Sequence, residues 1–132
     1  MLKVSDLMTR SVATLSPDET LAQAADTLAS LGVSGAPVCD EGARVVGVFS
    51  KSDLVRRLID GRLDPSSRVG DHMSSVTVSL RAEEPVAAAV RVMAERMIHR
   101  VVVLDDEGHL VGIVSPLDVL RAVHEGRLQL SG

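Results

Sequence analysis

Apolar residues along this chain follow two spacings that alternate in a regular order. Residues 21–31 carry apolar side chains at helical spacing, and Gly32 follows them as a typical helix end. Two short apolar runs come next, at 36–39 and 45–49, separated by the turn residues Asp40-Glu41-Gly42. The pattern therefore predicts a helix followed by a β-hairpin.

An amphipathic segment at 51–58 predicts a second helix directly after the hairpin. The same order then recurs in the second half of the chain, and a short strand is expected ahead of the first helix in each half. The remaining predicted elements are short strands near 12–15 and 76–80, a helix at 86–96, strands at 101–104 and 110–114 around a turn at 105–108, and a last helix at 116–124.

The two halves match at one offset of about 65 residues without a gap, which chance does not sustain over such a length, so we interpret them as an internal duplication. We assign repeat 1 to residues 1–60, a linker rich in Gly, Pro, Ser and charge to 61–68, repeat 2 to 69–124 and a C-terminal tail to 125–132. The identical pairs include Val4 and Val69, Asp6 and Asp71, Met8 and Met73, Gly47 and Gly112, Ser50 and Ser115, Asp53 and Asp118, and Arg56 and Arg121.

The expected fold class is α/β (α+β), with two pseudo-twofold related repeats. Each repeat would form a small, mainly antiparallel sheet with two helices. A repeat of this size is marginal alone, so we expect the two repeats to share a core and to pack sheet to sheet.

The motifs of the two repeats carry a resemblance to the cystathionine-β-synthase (CBS) domain family. It covers nearly the whole chain, leaving only the short C-terminal tail. It implies a stand-alone tandem CBS pair, also called a Bateman module, that senses a ligand in the cleft between its repeats, catalyses nothing, and assembles through its helices as a disc-shaped homodimer. The matching motifs are Asp6-Leu7-Met8-Thr9, Gly32-Val33-Ser34-Gly35-Ala36-Pro37-Val38 and Val45-Val46-Gly47-Val48-Phe49-Ser50 with Asp53, then Asp71-His72-Met73-Ser74, Ile98-His99-Arg100-Val101 and Leu110-Val111-Gly112-Ile113-Val114-Ser115 with Asp118.

A serine stands where a strand turns into a helix in each repeat, and an aspartate follows three residues later. A hydroxyl at a helix start lies beside free N–H groups, which suits a phosphate, and a carboxylate can accept hydrogen bonds from a ribose diol. The resemblance assigns these roles to Ser50, Asp53, Ser115 and Asp118. The alternative is a variant capping box with no ligand, and the two roles are compatible.

Basic residues mark one repeat more than the other. His99 and Arg100 precede a strand where nucleotide-binding members of the family place phosphate ligands, and Arg suits phosphate through paired hydrogen bonds. A solvent-exposed strand start is the alternative. Repeat 1 has Ser34-Gly35 at this place, which favours one stronger phosphate site or a ligand of low phosphate charge.

Further ligand contacts are considered on residue type alone. Arg10 and Lys51 are candidates for phosphate contacts, although surface cations are common. Five valines are candidates for an adenine slot, with ordinary core packing as the alternative; they are Val12, Val38, Val76, Val78 and Val103.

Composition narrows the classes of function. The net charge is −4 and Phe49 is the one aromatic residue, which argues against a nucleic-acid partner. Cys39 has no internal disulfide partner, and the four histidines have no zinc-ligand spacing, so no metal is expected. No apolar run reaches membrane-spanning length and no signal peptide is recognised, so a cytoplasmic protein without a membrane partner is expected.

The leading hypothesis is a regulatory module that requires no cofactor and binds AMP, ADP, ATP or S-adenosylmethionine. The alternative is a nucleotide-free interaction module that regulates a partner enzyme or transporter. In either case we expect a homodimer that acts through an unidentified effector protein. A redox sensor acting through Cys39 and an enzyme are the remaining alternatives.

Overall fold

The computed structural model describes residues 1–61 and 63–129. Residue 62 of the predicted linker and residues 130–132 of the predicted tail lie outside the described residues. The chain forms two compact units. Residues Ala13–Thr77 form the contiguous unit; the split unit combines Met1–Val12 with the chain from Val78 onward.

The contiguous unit contains helix α2 (Leu21–Leu31), strands β1 (Gly35–Cys39) and β2 (Val45–Ser50), and helix α3 (Lys51–Ile59). Thr20 begins α2 because its hydroxyl accepts the Gln23 N–H at 3.1 Å while the Gln23 side chain accepts the Thr20 N–H at 2.9 Å. Gly32 ends α2 with a φ of 66°, a left-handed conformation that glycine adopts without strain. β1 and β2 pair antiparallel as the predicted hairpin.

The split unit contains helix α1 (Val4–Leu7), strand β3 (Ser79–Leu80), helix α4 (Val86–Arg96), strands β4 (Val101–Leu104) and β5 (Leu110–Val114), and helix α5 (Pro116–His124). The sheet order is β3-β4-β5, with β3 parallel and β5 antiparallel to β4. The predicted bounds of α4, β4, β5 and α5 are those of the structure, and the mixed α/β fold class is confirmed.

Apolar side chains of strands and helices meet in a separate core in each unit. The larger core clusters are Leu15, Leu21, Ala24, Leu28, Ala36, Val38, Phe49 and Val69 in the contiguous unit, and Val4, Leu80, Ala89, Met93, Val101, Val103 and Val114 in the split unit.

The strands expected near 12–15 and 76–80, ahead of the first helix of each repeat, are shorter in the structure than predicted. Near 12–15 there is one parallel bridge, in which the Leu15 N–H donates to Pro37 and the Cys39 N–H donates to Leu15. Near 76–80 the strand is only the two residues of β3. In both places the β ladder ends after one or two residue pairs. The β propensity of these segments therefore predicted longer strands than the hydrogen bonding in the structure supports.

The compact units do not follow the two sequence repeats. The contiguous unit includes residues 69–77 of the second repeat, with a 3-10 turn at Val69–Asp71, and the split unit includes residues 1–12 of the first repeat. Each unit is therefore completed by the leading residues of the other repeat.

Candidate functional site

Both serine–aspartate pairs lie at a junction between a strand and a helix. Ser50 is the last residue of β2 and the residue before α3, and Ser115 lies between β5 and α5. Both serines have extended backbones, as a residue preceding a helix does, with φ of −136° and −129°. Asp53 and Asp118, at 4% and 7% exposure, are the charged residues that are buried within the described ranges.

The carboxylate of Asp53 accepts hydrogen bonds on both oxygens. Its Oδ2 accepts the backbone N–H of Ser50 at 2.9 Å and the Ser50 hydroxyl at 3.2 Å. Its Oδ1 accepts the Ser74 hydroxyl at 3.0 Å and the Arg56 Nη1 at 3.3 Å. The carboxylate thus joins the start of α3 to a residue 21 positions further along the chain.

The carboxylate of Asp118 repeats this arrangement with looser contacts on one oxygen. Its Oδ2 accepts the backbone N–H of Ser115 at 2.8 Å and the Ser115 hydroxyl at 3.1 Å. Its Oδ1 accepts the Thr9 hydroxyl and the Arg121 Nη1, each at 3.5 Å. The capping role expected for both aspartates is therefore present in the structure, and it satisfies groups that burial would otherwise leave unpaired.

A methionine and a hydroxyl residue lie beside each strand next to the junction, and the hydroxyl residue pairs with the strand in one antiparallel bridge. We call Met73-Ser74 the strap of the contiguous unit and Met8-Thr9 the strap of the split unit. Ser74 exchanges backbone hydrogen bonds with Val48 at 2.8 and 2.9 Å, and Thr9 does the same with Ile113. Each strap thus holds its hydroxyl beside the buried carboxylate.

The glycine of each motif makes room for the strap. A Cβ on Gly47 would lie 2.7 Å from the Met73 sulfur and 2.8 Å from the Ser74 carbonyl oxygen. A Cβ on Gly112 would lie 2.7 Å from the Met8 sulfur. All three distances are shorter than real Cβ contacts, so in both repeats a residue larger than glycine would force the strap to shift.

The basic candidates lie at different places. His99 is exposed and Arg100 half-buried between α4 and β4, in the same unit as Ser115 and Asp118. Arg10 is exposed and borders a cavity of about 240 Å³ that Arg81 and Asp106 also line, and no other candidate residue lines that cavity. Lys51 is exposed, and its backbone N–H donates to the Ser34 carbonyl at 2.8 Å.

The five valines divide by burial. Val38 and Val103 are fully buried in the cores of their units, which is the placement expected of ordinary core residues rather than of an adenine slot. Val12, Val76 and Val78 are half-buried. Val38 and Val76 belong to the contiguous unit, and the other three belong to the split unit.

The structure adds four side chains that sequence reasoning did not identify as site residues. Ser74 and Thr9 reach the buried carboxylates from the straps, and Arg56 and Arg121 reach them from the next helical turn. The signal that could have found them is the duplication, because each pair stands at the same offset as the two aspartates.

Three remaining features concern the Cys39 thiol, possible metal ligands and the length of the helices. Burial raises the pKa of the Cys39 thiol, and the charge of Asp40 raises it further, so the reactive thiolate is disfavoured. Within residues 1–61 and 63–129, no group of three His, Cys, Asp or Glu side chains is placed to hold a metal ion. No helix in the described part of the chain is long and apolar enough to cross a membrane.

The family model of the CBS domain matches residues 4–60 and 69–125. The chain therefore belongs to the CBS domain family and contains two copies of its repeat.

Curated relatives carry this pair in proteins of different length. The CBS domain-containing protein YhcV of Bacillus subtilis is 32% identical over 115 residues, which are 87% of this chain and 81% of that protein. An inosine-5'-monophosphate dehydrogenase of Methanocaldococcus jannaschii is 28% identical over 119 residues, 90% of this chain but 23% of the enzyme. Two further archaeal relatives are matched over 62% and 40% of their length, so the chain corresponds to only part of these three proteins.

Solved structures share the fold over almost the whole chain. The structure of CBSX2 in complex with AMP superimposes with a TM-score of 0.84 at 28% identity, covering 97% of this chain and all of that one. The CBS domain pair of protein MJ0100, solved in complex with 5-methylthioadenosine and S-adenosyl-L-methionine, has a TM-score of 0.82 at 23% identity, covering 96% of this chain and 98% of that one. The second likeness shows the fold alone.

Proposed function

We propose that this chain is a non-catalytic regulatory module that binds an adenosine-containing ligand at its serine–aspartate junctions. The observation that carries the proposal is the hydrogen-bonded pair of a half-buried serine and a buried aspartate, which stands at the start of a helix in both units. A structural neighbour supports it: the structure of CBSX2 in complex with AMP covers 97% of this chain. AMP is the ligand proposed first, with ADP, ATP and S-adenosylmethionine as the other candidates.

The chemistry of the junction suits a nucleotide. The positive end of the α5 dipole and the Ser115 hydroxyl would face the phosphate, and the Asp118 carboxylate would accept hydrogen bonds from the ribose hydroxyls. Pro116 at the first position of α5 has no N–H, so phosphate binding there would depend on Ser115 and on neighbouring cations.

The split unit is proposed as the stronger site. His99 and Arg100 belong to this unit, whereas Ser34-Gly35 holds the equivalent place in the contiguous unit. A charge-assisted hydrogen bond to phosphate is worth more than a neutral one, so two basic residues would favour a phosphorylated ligand at Asp118. Asp53 would then bind more weakly or accept a ligand with less charge.

A protein-interaction module is the second candidate. The observation that favours it is that helices α3 and α5 expose several large apolar side chains. Such a surface would fit a homodimer or an effector protein, both of which we propose as partners. The most exposed of these side chains are Leu58 at 63%, Ile59 at 79%, Leu117 at 59% and Leu120 at 64%.

Thermal melting in the presence of AMP, ADP, ATP or S-adenosylmethionine tests the ligand proposal. A ligand at about a hundred times its Kd stabilises the folded state by roughly 2.7 kcal/mol, a readily measured rise in Tm. We expect Asp118→Ala to abolish most of the rise and Asp53→Ala to abolish less. Asp26→Ala, which changes an exposed aspartate of α2, is the control. No rise with any of the four ligands would contradict the proposal and favour the interaction module.

A further inference from the structure

The buried carboxylates have no acceptor capacity to spare. A carboxylate offers about four lone-pair directions, two on each oxygen. Asp53 and Asp118 each already accept four hydrogen bonds, two on Oδ1 and two on Oδ2. A ribose diol that donates two hydrogen bonds to either aspartate must therefore displace two of the present donors.

Both donors to Oδ1 can leave without a backbone change, whereas on Oδ2 only the Ser50 hydroxyl can, because the other donor there is the Ser50 backbone N–H. The donors to Oδ2 of Asp53 both come from Ser50, whose backbone is held between β2 and α3. The Arg56 side chain is 58% exposed and can turn its guanidinium to water. The Ser74 hydroxyl can rotate about its own bond without moving the backbone. A ligand would therefore take Oδ1 from Arg56 and Ser74.

We propose, on the basis of the proposed function, that the strap hydroxyls compete with the ligand for the aspartate carboxylates. In the absence of ligand, Ser74 and Thr9 hold Oδ1 of Asp53 and Asp118, and the affinity for the ligand is reduced by the free energy of those bonds. When the ligand binds, each strap loses its side-chain tie to the junction and keeps only its backbone bonds and its methionine contact. The straps are thus positioning residues that set affinity and respond to occupancy.

The two straps differ in strength. Ser74 lies 3.0 Å from Oδ1 of Asp53, and Arg56 lies 3.3 Å from the same atom. Thr9 and Arg121 lie 3.5 Å from Oδ1 of Asp118, at the outer limit of a hydrogen bond. The ligand therefore displaces weaker bonds in the split unit, which makes Asp118 the site filled first, independently of His99 and Arg100.

Calorimetric titration with AMP tests the competition one site at a time. Ser74→Ala is measured in a chain that also carries Asp118→Ala, and Thr9→Val in a chain that also carries Asp53→Ala. Because a hydrogen bond to a charged group is worth about 1.5–3 kcal/mol, we expect Ser74→Ala to tighten AMP binding roughly tenfold or more, and Thr9→Val to tighten it less.

Two matched variants separate competition from a structural effect. Ser74→Thr keeps the hydroxyl and should bind AMP like the parent chain, and Ser75→Ala changes the exposed neighbour and should do the same. Unchanged or weaker AMP binding by a folded Ser74→Ala variant would overturn the competition while leaving the proposed function intact. Failure of the parent chains and the wild type to bind AMP would refute both the competition and AMP as the ligand.

Discussion

The contiguous unit and the split unit carry the same strand–helix junction on different cores. At the junctions the serine, the aspartate, the arginine and the strap hydroxyl occupy equivalent places. Next to them in the chain, Phe49 precedes Ser50 in β2 as Val114 precedes Ser115 in β5, and both side chains are buried. The sheets also differ, with two strands in one unit and three in the other. The junction geometry therefore tolerates a change of core volume and of sheet width.

The cores offer the largest test of this difference. Phe49→Ala removes a fully buried aromatic ring and should cost about 3–5 kcal/mol of unfolding free energy. Val114→Ala removes only two methyl groups and should cost roughly 2 kcal/mol. Urea unfolding of both variants measures the difference. Equal losses would contradict the expectation that the larger buried side chain contributes more to stability.

The glycines under the straps should show a smaller difference in the same direction. In Gly47→Ala the new methyl group meets the Ser74 carbonyl oxygen at 2.8 Å, and in Gly112→Ala it meets the Thr9 carbonyl oxygen at 3.0 Å. Backbone atoms yield less readily than a methionine side chain, so we expect a loss of about 1–3 kcal/mol for each, larger for Gly47→Ala.

Gly42→Ala is the matched control for these variants. Its Cβ would meet only the Asp40 Oδ1 at 3.5 Å, an ordinary contact, so its stability in the same urea unfolding should stay close to that of the wild type. A larger loss for Gly112→Ala than for Gly47→Ala would mean that the strap of the split unit is the tighter one, contrary to the distances.

The turn between β4 and β5 provides the smallest test. The His109 backbone N–H, together with the Glu107 N–H and the His109 ring, holds the pKa of Asp105 below its ordinary value. The stability from this carboxylate is present above the unfolded pKa of about 3.9 and is lost as the pH falls through the lower folded pKa. Asp105→Asn should therefore flatten the fall in Tm below about pH 4. Superimposable Tm profiles of variant and wild type would contradict this.

Local signals in the sequence predicted helices α2 to α5 and strands β1, β2, β4 and β5 well, because their ends are determined by neighbouring residues. Thr20 with Gln23 and Gly32 limit α2, and Pro116 starts α5. The expectation of CBS repeats is confirmed by the family match. The roles of Ser50, Asp53, Ser115 and Asp118 in ligand binding stay predictions.

The straps could not be predicted by the same reasoning. Thr9 and Asp118 lie 109 positions apart, and Ser74 and Asp53 lie 21 apart, so neither contact follows from local periodicity. The duplication shows that the two contacts are equivalent but not which copy supplies each strap. The saturation of the carboxylates likewise depends on three-dimensional placement, which a capping motif alone does not reveal.

The division of the chain into a contiguous and a split unit has a consequence for biosynthesis. All residues of the contiguous unit have been translated once Thr77 has been added, so this unit can fold while synthesis continues. Residues 1–12 must wait for β5 and α5, which the ribosome supplies a few seconds later at roughly 5–20 residues per second. During that interval Val4 and Leu7 have no core to enter, so their apolar side chains stay exposed to water.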